Sequence, residues 1–390
     1  MVILMLLEHD FPGDVRVDKE VQSLFEAGHR IIVASSTSKD LPRVEKATNC
    51  TIYRKKISPF ILKSSVGALK FPFYFNFWRS FINEIAITEK FDAIHVHDLP
   101  LARVGFEFKH KLGVKLVIDL HENYPALLEI SQHTNTFIGK LLSSKKQWRN
   151  YEVEMANKAD ALIAVVQEMK ERLCNLKINA NKIYVLENTP IVDNKTIEKN
   201  VNSDFLTLTY IGGITEARGL QYIIKGMALL SESHKNVRLW IVGDGKYLKD
   251  LKILSSNLGV DNLVTFFGKV KSSETVAFLA QTDIALIPHV RSEQSDNSSP
   301  NKLYEYMSVG LPVMVSNCTS VERVVKETGV GFSYIHDSPA DFKEQLLKII
   351  NNREVQTACG ENGKRFILTK YNWNYSSREL IRLYSDISIS

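Results

Sequence analysis

The chain has 390 residues, 44% of them hydrophobic and 24% charged. That length suits two domains of ordinary size, and that composition excludes wholesale disorder. The net charge of +5, from 49 Lys and Arg against 44 Asp and Glu, is too mild to mark a nucleic-acid binder.

The first element, VILMLL (2–7), reads as a buried strand. It is too short to span a membrane and lacks the basic flank and cleavage site of a signal peptide. RIIVAS (30–35), AIHVH (93–97), KLVIDL (115–120), ALIAVV (161–166) and KIYVLE (182–187) continue the series. Helical patterns lie between them at 15–27, about 64–88, 99–111 and 137–157. Strands alternating with helices of this length imply a parallel sheet covered on both faces. A polar stretch, 188–204, reads as a linker. The alternation then restarts with FLTLTYI (205–211), VRLWIV (237–242), LVTFF (263–267), DIALIP (283–288), a helix at 301–308 and LPVMVS (311–316).

The expected fold is therefore α/β, with two doubly wound Rossmann-like domains. Their bounds are 1–190 and 205–370, with a linker at 191–204 and a last helix, 371–390, expected to pack back on the first domain. Ligands of open α/β sheets bind outside the carboxyl ends of the strands, so a cleft lined by those ends is the expected site. Cys50, Cys174, Cys318 and Cys359 lie far apart without a C-x-x-C pair. That argues against zinc and disulfides, and for a cytoplasmic chain.

Two segments of the second half carry the chemistry. Gly212 and Gly213 follow its first strand, and Arg218 precedes a helix. Glycines admit a ligand to the backbone, the helix N-terminus adds partial positive charge, and the guanidinium fork suits a phosphate. A tight turn with a solvated Arg is the alternative. In SDNSSPNKLYEYMSVGLPVMVS (295–316), Ser299 suits a helix cap, Pro300 the first turn, and Gly310 with Pro312 the end. Glu305 on that helix suits the two hydroxyls of a ribose, unless it only pairs with Lys302 three residues before it.

The run PNKLYEYMSVGLPV, with YIGGITEARGL, IVGDG and FFGKV in the same order, resembles the donor-binding signature of glycosyltransferase family 4. The resemblance reaches from the first strand to about residue 370. It implies the two-domain GT-B fold and a retaining glycosyltransferase that moves a sugar from a nucleotide-diphosphate sugar to a glycan or lipid-linked acceptor in surface polysaccharide or glycoconjugate synthesis. Glu305 would bind the ribose, and Arg218 the diphosphate beside Gly212 and Gly213. Gly243, Asp244, Lys269 and Val270 would frame the base. His121 would reach the transferred sugar or its phosphate, completing a catalytic set of His121, Arg218 and Glu305. Asn297 stands where the family usually has a first Glu, with Ser298 and Ser299 beside it on the donor side. Gly213 stands where the family often has an Arg, a cation that Lys302 would replace. With no D-x-D triplet, no metal or other cofactor is expected. A catalytically weak GT-B partner subunit and a GT-B sugar-nucleotide epimerase are the alternatives.

The acceptor side is expected to include His97, Asp98 and Glu122. His95 and His97 lie on one face of a strand, where H-x-H raises a metal, but no third ligand has diagnostic spacing. Residues 46–83 hold seven basic and nine aromatic residues and no Asp or Glu. Such a mixture suits an anionic membrane surface at the inner face of the membrane, while Phe73, Phe77 and Phe81 are expected to form the buried stripe of a helix.

Overall fold

The computed structural model describes residues 1–130, 142–192, 205–231 and 233–389. Most of the expected linker and the start of the expected helix 137–157 lie outside these residues. The chain forms two compact units, one of residues 1–188 and 376–390, the other of residues 189–375.

The first unit is built on eight strands: β1 (Val2–Leu7), β2 (Arg30–Thr37), β3 (Val44–Lys46), β4 (Thr51–Lys56), β5 (Ala93–His97), β6 (Lys115–Leu120), β7 (Ala161–Ala164) and β8 (Ile183–Val185). Their order is β3-β4-β2-β1-β5-β6-β7-β8, parallel except for β3 against β4. Five of the six β1 residues are buried, as expected for a central strand covered on both faces. β3 and β4 were not among the expected strands. β4 buries Ile52 and Arg54 in alternation, inside a stretch whose charge hid the pattern. The helix Val15–Glu26 starts at Asp14, whose carboxylate accepts from the N–H groups of Arg16 and Val17 at 2.9 and 3.2 Å. That cap fixes the helix phase and buries Arg16 and Glu20 on one face, four residues apart. Part of the helix Trp373–Ile389 belongs to this unit, and its Tyr384 is fully buried.

The second unit has β9 (Leu206–Ile211), β10 (Val237–Val242), β11 (Val264–Gly268), β12 (Ile284–Ile287), β13 (Val313–Ser316) and β14 (Gly331–Tyr334), all parallel, in the order β11-β10-β9-β12-β13-β14. Each sheet reverses its winding once: the chain moves to one side of β1 and returns beyond β5, and does the same at β9 and β12. A reversal leaves two neighbouring strands whose following loops diverge, which opens a crevice at their carboxyl ends. The loops after β1, β5, β9 and β12 are therefore the places to look for chemistry.

Candidate functional site

At the reversal of the second sheet, the loop after β9 meets the loop after β12. Gly219 makes this possible. Its φ is +71°, and a Cβ there would lie 1.9 Å from the carbonyl oxygen of Pro288. Gly243, after β10, has φ +145°, and its Cβ would lie 1.9 Å from the carbonyl oxygen of Gly212. Backbone thus packs on backbone around the Gly212–Gly213 turn, and Tyr210 secures it by donating from its hydroxyl to the Gly213 carbonyl at 2.7 Å. Arg218 ends the short turn Glu216–Arg218, directly before the helix Leu220–Ser231.

Arg218 does not stand alone. Its Nη1 donates to Nε2 of His289, 2.9 Å away on the loop after β12. Burial, then the nearby Arg218 and Lys302, hold the His289 imidazole well below its ordinary pKa. His289 is therefore a neutral acceptor that aims the guanidinium. Lys302, on the helix Asn301–Ser308, reaches back to donate from Nζ to the Ile211 carbonyl at 2.6 Å, over the ring of Tyr210. Burial, with help from Arg218, lowers its pKa to about 7, and Glu305 partly opposes this. Glu305 itself is exposed on the same helix. The second unit thus gathers two cations, the N-terminus of a 12-residue helix and an outward carboxylate at one sheet reversal. Such a set suits a diphosphate with an attached ribose.

One expectation of local structure changes here, and the other expected donor residues take these places. The helix is capped by Pro300, with Ser299 outside it, because Pro300 has extended geometry (ψ 129°) and helical residues begin at Asn301. Asn297 is buried and its side-chain nitrogen donates to the Glu293 carbonyl at 2.7 Å, so the amide serves the preceding short helix. Ser298 donates to the Gln294 carbonyl at 3.0 Å. Asp244 is exposed and accepts from the Gly245 N–H at 2.7 Å, which shapes its own turn. Lys269 and Val270 follow β11, beside the Gly268 carbonyl that accepts from the Gly243 N–H at 2.8 Å. His289 was missed by sequence reasoning, since a lone His after an apolar strand carries no signal.

In the first unit, β5 and β6 bring His95, His97 and Asp119 against Arg16 and Glu20, and all five are buried. Arg16 donates to both oxygens of Asp119, from Nη2 to Oδ1 at 3.0 Å and from Nε to Oδ2 at 3.1 Å, and its Nε lies 2.9 Å from Glu20. Burial alone would raise the Asp119 carboxyl, but Arg16 and His121 outweigh it and hold it well below the usual range. Glu20 goes the other way: burial, then Asp119, push it well above its usual value. His95 and His97 stack with centroids 4.5 Å apart, and burial lowers both. Nδ1 of His95 lies 3.0 Å from the hydroxyl of Tyr384. His97, expected on the acceptor side, is sealed from solvent and stands behind His121.

Glu20, His95, His97 and Asp119 place one potential ligand atom each within 4.8 Å, so the fold supplies the partners that spacing did not reveal. Arg16 already sits between the two carboxylates as their counter-charge, which makes this a buried ionic network and a poor fit to a dication. Around it, the carboxyl end of the sheet presents Glu8, Asp98, His121 and Glu122. Asp98 has φ +67°, a turn that Asp tolerates better than most residues, and its N–H donates to the Asp119 carbonyl at 2.9 Å. Burial pushes the Glu8 carboxyl up to about 7, and Tyr74 donates a short hydrogen bond to it. Arg16, Glu20, Asp119 and Glu8 were also missed by sequence reasoning, because buried charges look like surface ones until their partners are known.

In the basic aromatic stretch, the buried face of the helix Phe73–Thr88 is Tyr74, Phe75, Trp78, Phe81, Ile82 and Ile85. Of the expected stripe, Phe81 is buried, Phe77 is partly buried and Phe73 is exposed. Phe60, Phe71 and Phe73 form an exposed cluster, with ring centroids 5.7 and 6.3 Å apart, flanked by Leu62, Lys63 and Lys70. Of the other basic residues, Arg54 is buried on the Phe11 carbonyl, and Lys55 and Arg79 pair with Glu84 and Glu107. No described helix is long and apolar enough to cross a membrane.

A family model described as Glycosyltransferase Family 4 matches residues 15–189, and one described as Glycosyl transferases group 1 matches residues 192–366. An uncharacterised glycosyltransferase of Methanocaldococcus jannaschii is 23% identical over 93% of this chain and 91% of its own length. The alpha-monoglucosyldiacylglycerol synthase of Streptococcus pneumoniae is 21% identical over 83% of this chain and 72% of its own. Among solved structures, HepE of Anabaena in complex with UDP superposes with a TM-score of 0.72 at 15% identity, covering 99% of this chain and 100% of HepE.

Proposed function

Since this chain belongs to glycosyltransferase family 4 and has the GT-B fold, we propose that it is a retaining enzyme whose second unit holds a nucleotide-diphosphate sugar. The observation that carries this reading is the nearness of two basic side chains, Arg218 and Lys302, at the sheet reversal, before the N-terminus of the helix Leu220–Ser231. As the sugar departs, the diphosphate gains negative charge, and these fixed groups stabilise it without a metal. With no enzyme carboxylate assigned as nucleophile, we place the attack on the face that the diphosphate leaves, its oxygen taking the acceptor's proton. Glu305 accepts from the ribose hydroxyls. His121 and Asp98 meet the sugar or the acceptor on the first unit. Lys302 takes the place of the Arg that Gly213 lacks.

A panel of nucleoside diphosphates and nucleotide sugars tests the reading by thermal shift. A true donor nucleotide at 100 times its Kd adds about 2.7 kcal/mol of stability. Arg218→Ala is expected to weaken diphosphate binding by about 1.5–3 kcal/mol, or roughly 10- to 150-fold. Glu305→Ala should lower nucleoside-diphosphate affinity and leave inorganic diphosphate affinity unchanged. Full donor affinity and turnover in Glu305→Ala would sink the assignment.

The acceptor is proposed to be lipid-linked or to lie at a membrane. The exposed Phe60, Phe71 and Phe73 suit the headgroup boundary, and Lys63 and Lys70 add about 1 kcal/mol each at an anionic surface. This is a weaker, reversible attachment than seven basic residues would give. The expected result is co-sedimentation with phosphatidylserine-rich vesicles that falls with salt, and its loss when the three Phe are replaced by Ser. Equal partition onto zwitterionic vesicles would remove the electrostatic part of the reading.

A further inference from the structure

In the first unit, a network of buried charged groups surrounds His121. Asp119 and His121 lie two residues apart, at the end of β6 and just beyond it. Nε2 of His121 is 2.9 Å from Oδ2 of Asp119. Asp119 cannot turn away, because Arg16 grips both of its oxygens and also donates from Nη1 to the Leu186 carbonyl at 3.0 Å. The stacked pair of His95 and His97 closes the space behind, with Nδ1 of His97 3.3 Å from the same Nε2. The inner edge of the His121 ring is thus fully occupied. Its other nitrogen, Nδ1, faces Asp98 at 3.6 Å, where the Asp98 side chain is one-third exposed. That distance is too long for a direct hydrogen bond.

We propose that Asp119, clamped by Arg16, is the positioning residue of His121: it engages Nε2 and leaves Nδ1 as the nitrogen that meets a ligand. A ligand hydroxyl placed between Nδ1 and Asp98 accepts from the ring N–H and donates to the carboxylate, so the site recognises a sugar hydroxyl. The proposal rests on the reading of His121 as a ligand-contacting residue. Its electrostatics agree with the geometry. Burial alone would lower the imidazole, but Asp98 and Asp119 outweigh it and raise it to about 9, with Arg16 opposing. The other groups facing this locus are His9 and Asp14 from the loop after β1, Glu8, Glu20 and His97.

The test is long-range proton–nitrogen NMR of the histidine rings in the whole chain, titrated from pH 5.5 to 10. His121 is expected to stay doubly protonated through neutral pH, with a midpoint near 9, and to release its proton from Nδ1. Asp119→Asn should lower that midpoint by at least a unit toward the ordinary 6.5. A merely structural Asp119 would leave it where it was, and that result overturns the proposal. If Asp119→Asn fails to fold, the parent protein and Asp98→Asn decide. A midpoint at or below 6.5 in the parent, or first release from Nε2, overturns the proposal. Asp98→Asn should lower the midpoint without changing which nitrogen keeps its proton. A separate UDP titration tests the donor reading. Its failure would leave the histidine result standing.

Discussion

Arg16→Ala is expected to lower the free energy of unfolding by about 3–5 kcal/mol, read as a lower denaturant midpoint with an unchanged slope. The substitution removes the bidentate partner of the buried Asp119 and leaves its charge to His121 alone among its close cations, beside a Glu20 that already resists ionisation. Arg30→Ala, at an ion pair with Glu89 whose Arg is half exposed, should cost less than 1 kcal/mol. The contrast comes from solvation. Water replaces the lost partner at position 30 and cannot reach Asp119. Because the Asp119 pKa is depressed, its contribution is present above about pH 3.9 and is lost on acidification. His121 is raised, so its contribution is complete below about pH 6.5 and is lost as pH rises through about 9. A cost for Arg16→Ala no larger than for Arg30→Ala would mean that the buried network is not ionic.

The affinity for a nucleoside diphosphate, with UDP as the probe, is expected to fall as pH rises above 7, by roughly tenfold per pH unit until the bound-state pKa of Lys302 is reached. In the free protein, burial and Arg218 hold that ammonium at about 7, so much of it is neutral at neutral pH. A diphosphate arriving between Arg218 and Lys302 favours the charged form. The complex then binds more protons than the free protein, and by linkage a higher pH opposes binding. Calorimetry in two buffers of different ionisation enthalpy should show up to one proton taken up per UDP near pH 8. Lys302→Met should abolish the proton uptake and flatten the pH profile. Pyrophosphate affinity that does not vary between pH 7 and 9 would remove Lys302 from the diphosphate site.

Apolar runs of four to seven residues alternating with amphipathic stretches gave most of the strands, because a parallel strand buried on both faces has no polar face to confuse its pattern. The strands that escaped are those with other signatures. β4 carries Arg54, Lys55 and Lys56, and β14 begins with Gly331 and holds Ser333. The helix Phe73–Thr88, between β4 and β5, was legible, but its stripe was only partly right. Residues four apart advance by slightly more than one turn, so the row drifts from the exposed Phe73 through the partly buried Phe77 onto the buried face only at Phe81, beside Tyr74, Trp78 and Ile85.

By itself, the sequence determined two α/β units, the loops that carry Gly212, Arg218 and His121, and the helix that carries Glu305. These are local properties: periodicity, turn glycines and a spacing read along one segment. Only the tertiary structure decided which side chains share a charge. Arg16 meets Asp119 from 103 residues away, Arg218 meets His289 from 71, and Lys302 turns to Ile211 from 91. The physical reason is that an ionic or hydrogen-bonded partner acts over about 3 Å in space, at any separation along the chain. Burial then multiplies its effect, and burial is set by the fold as a whole. The +5 of the chain could never show that its most consequential charges are the ones that water does not touch.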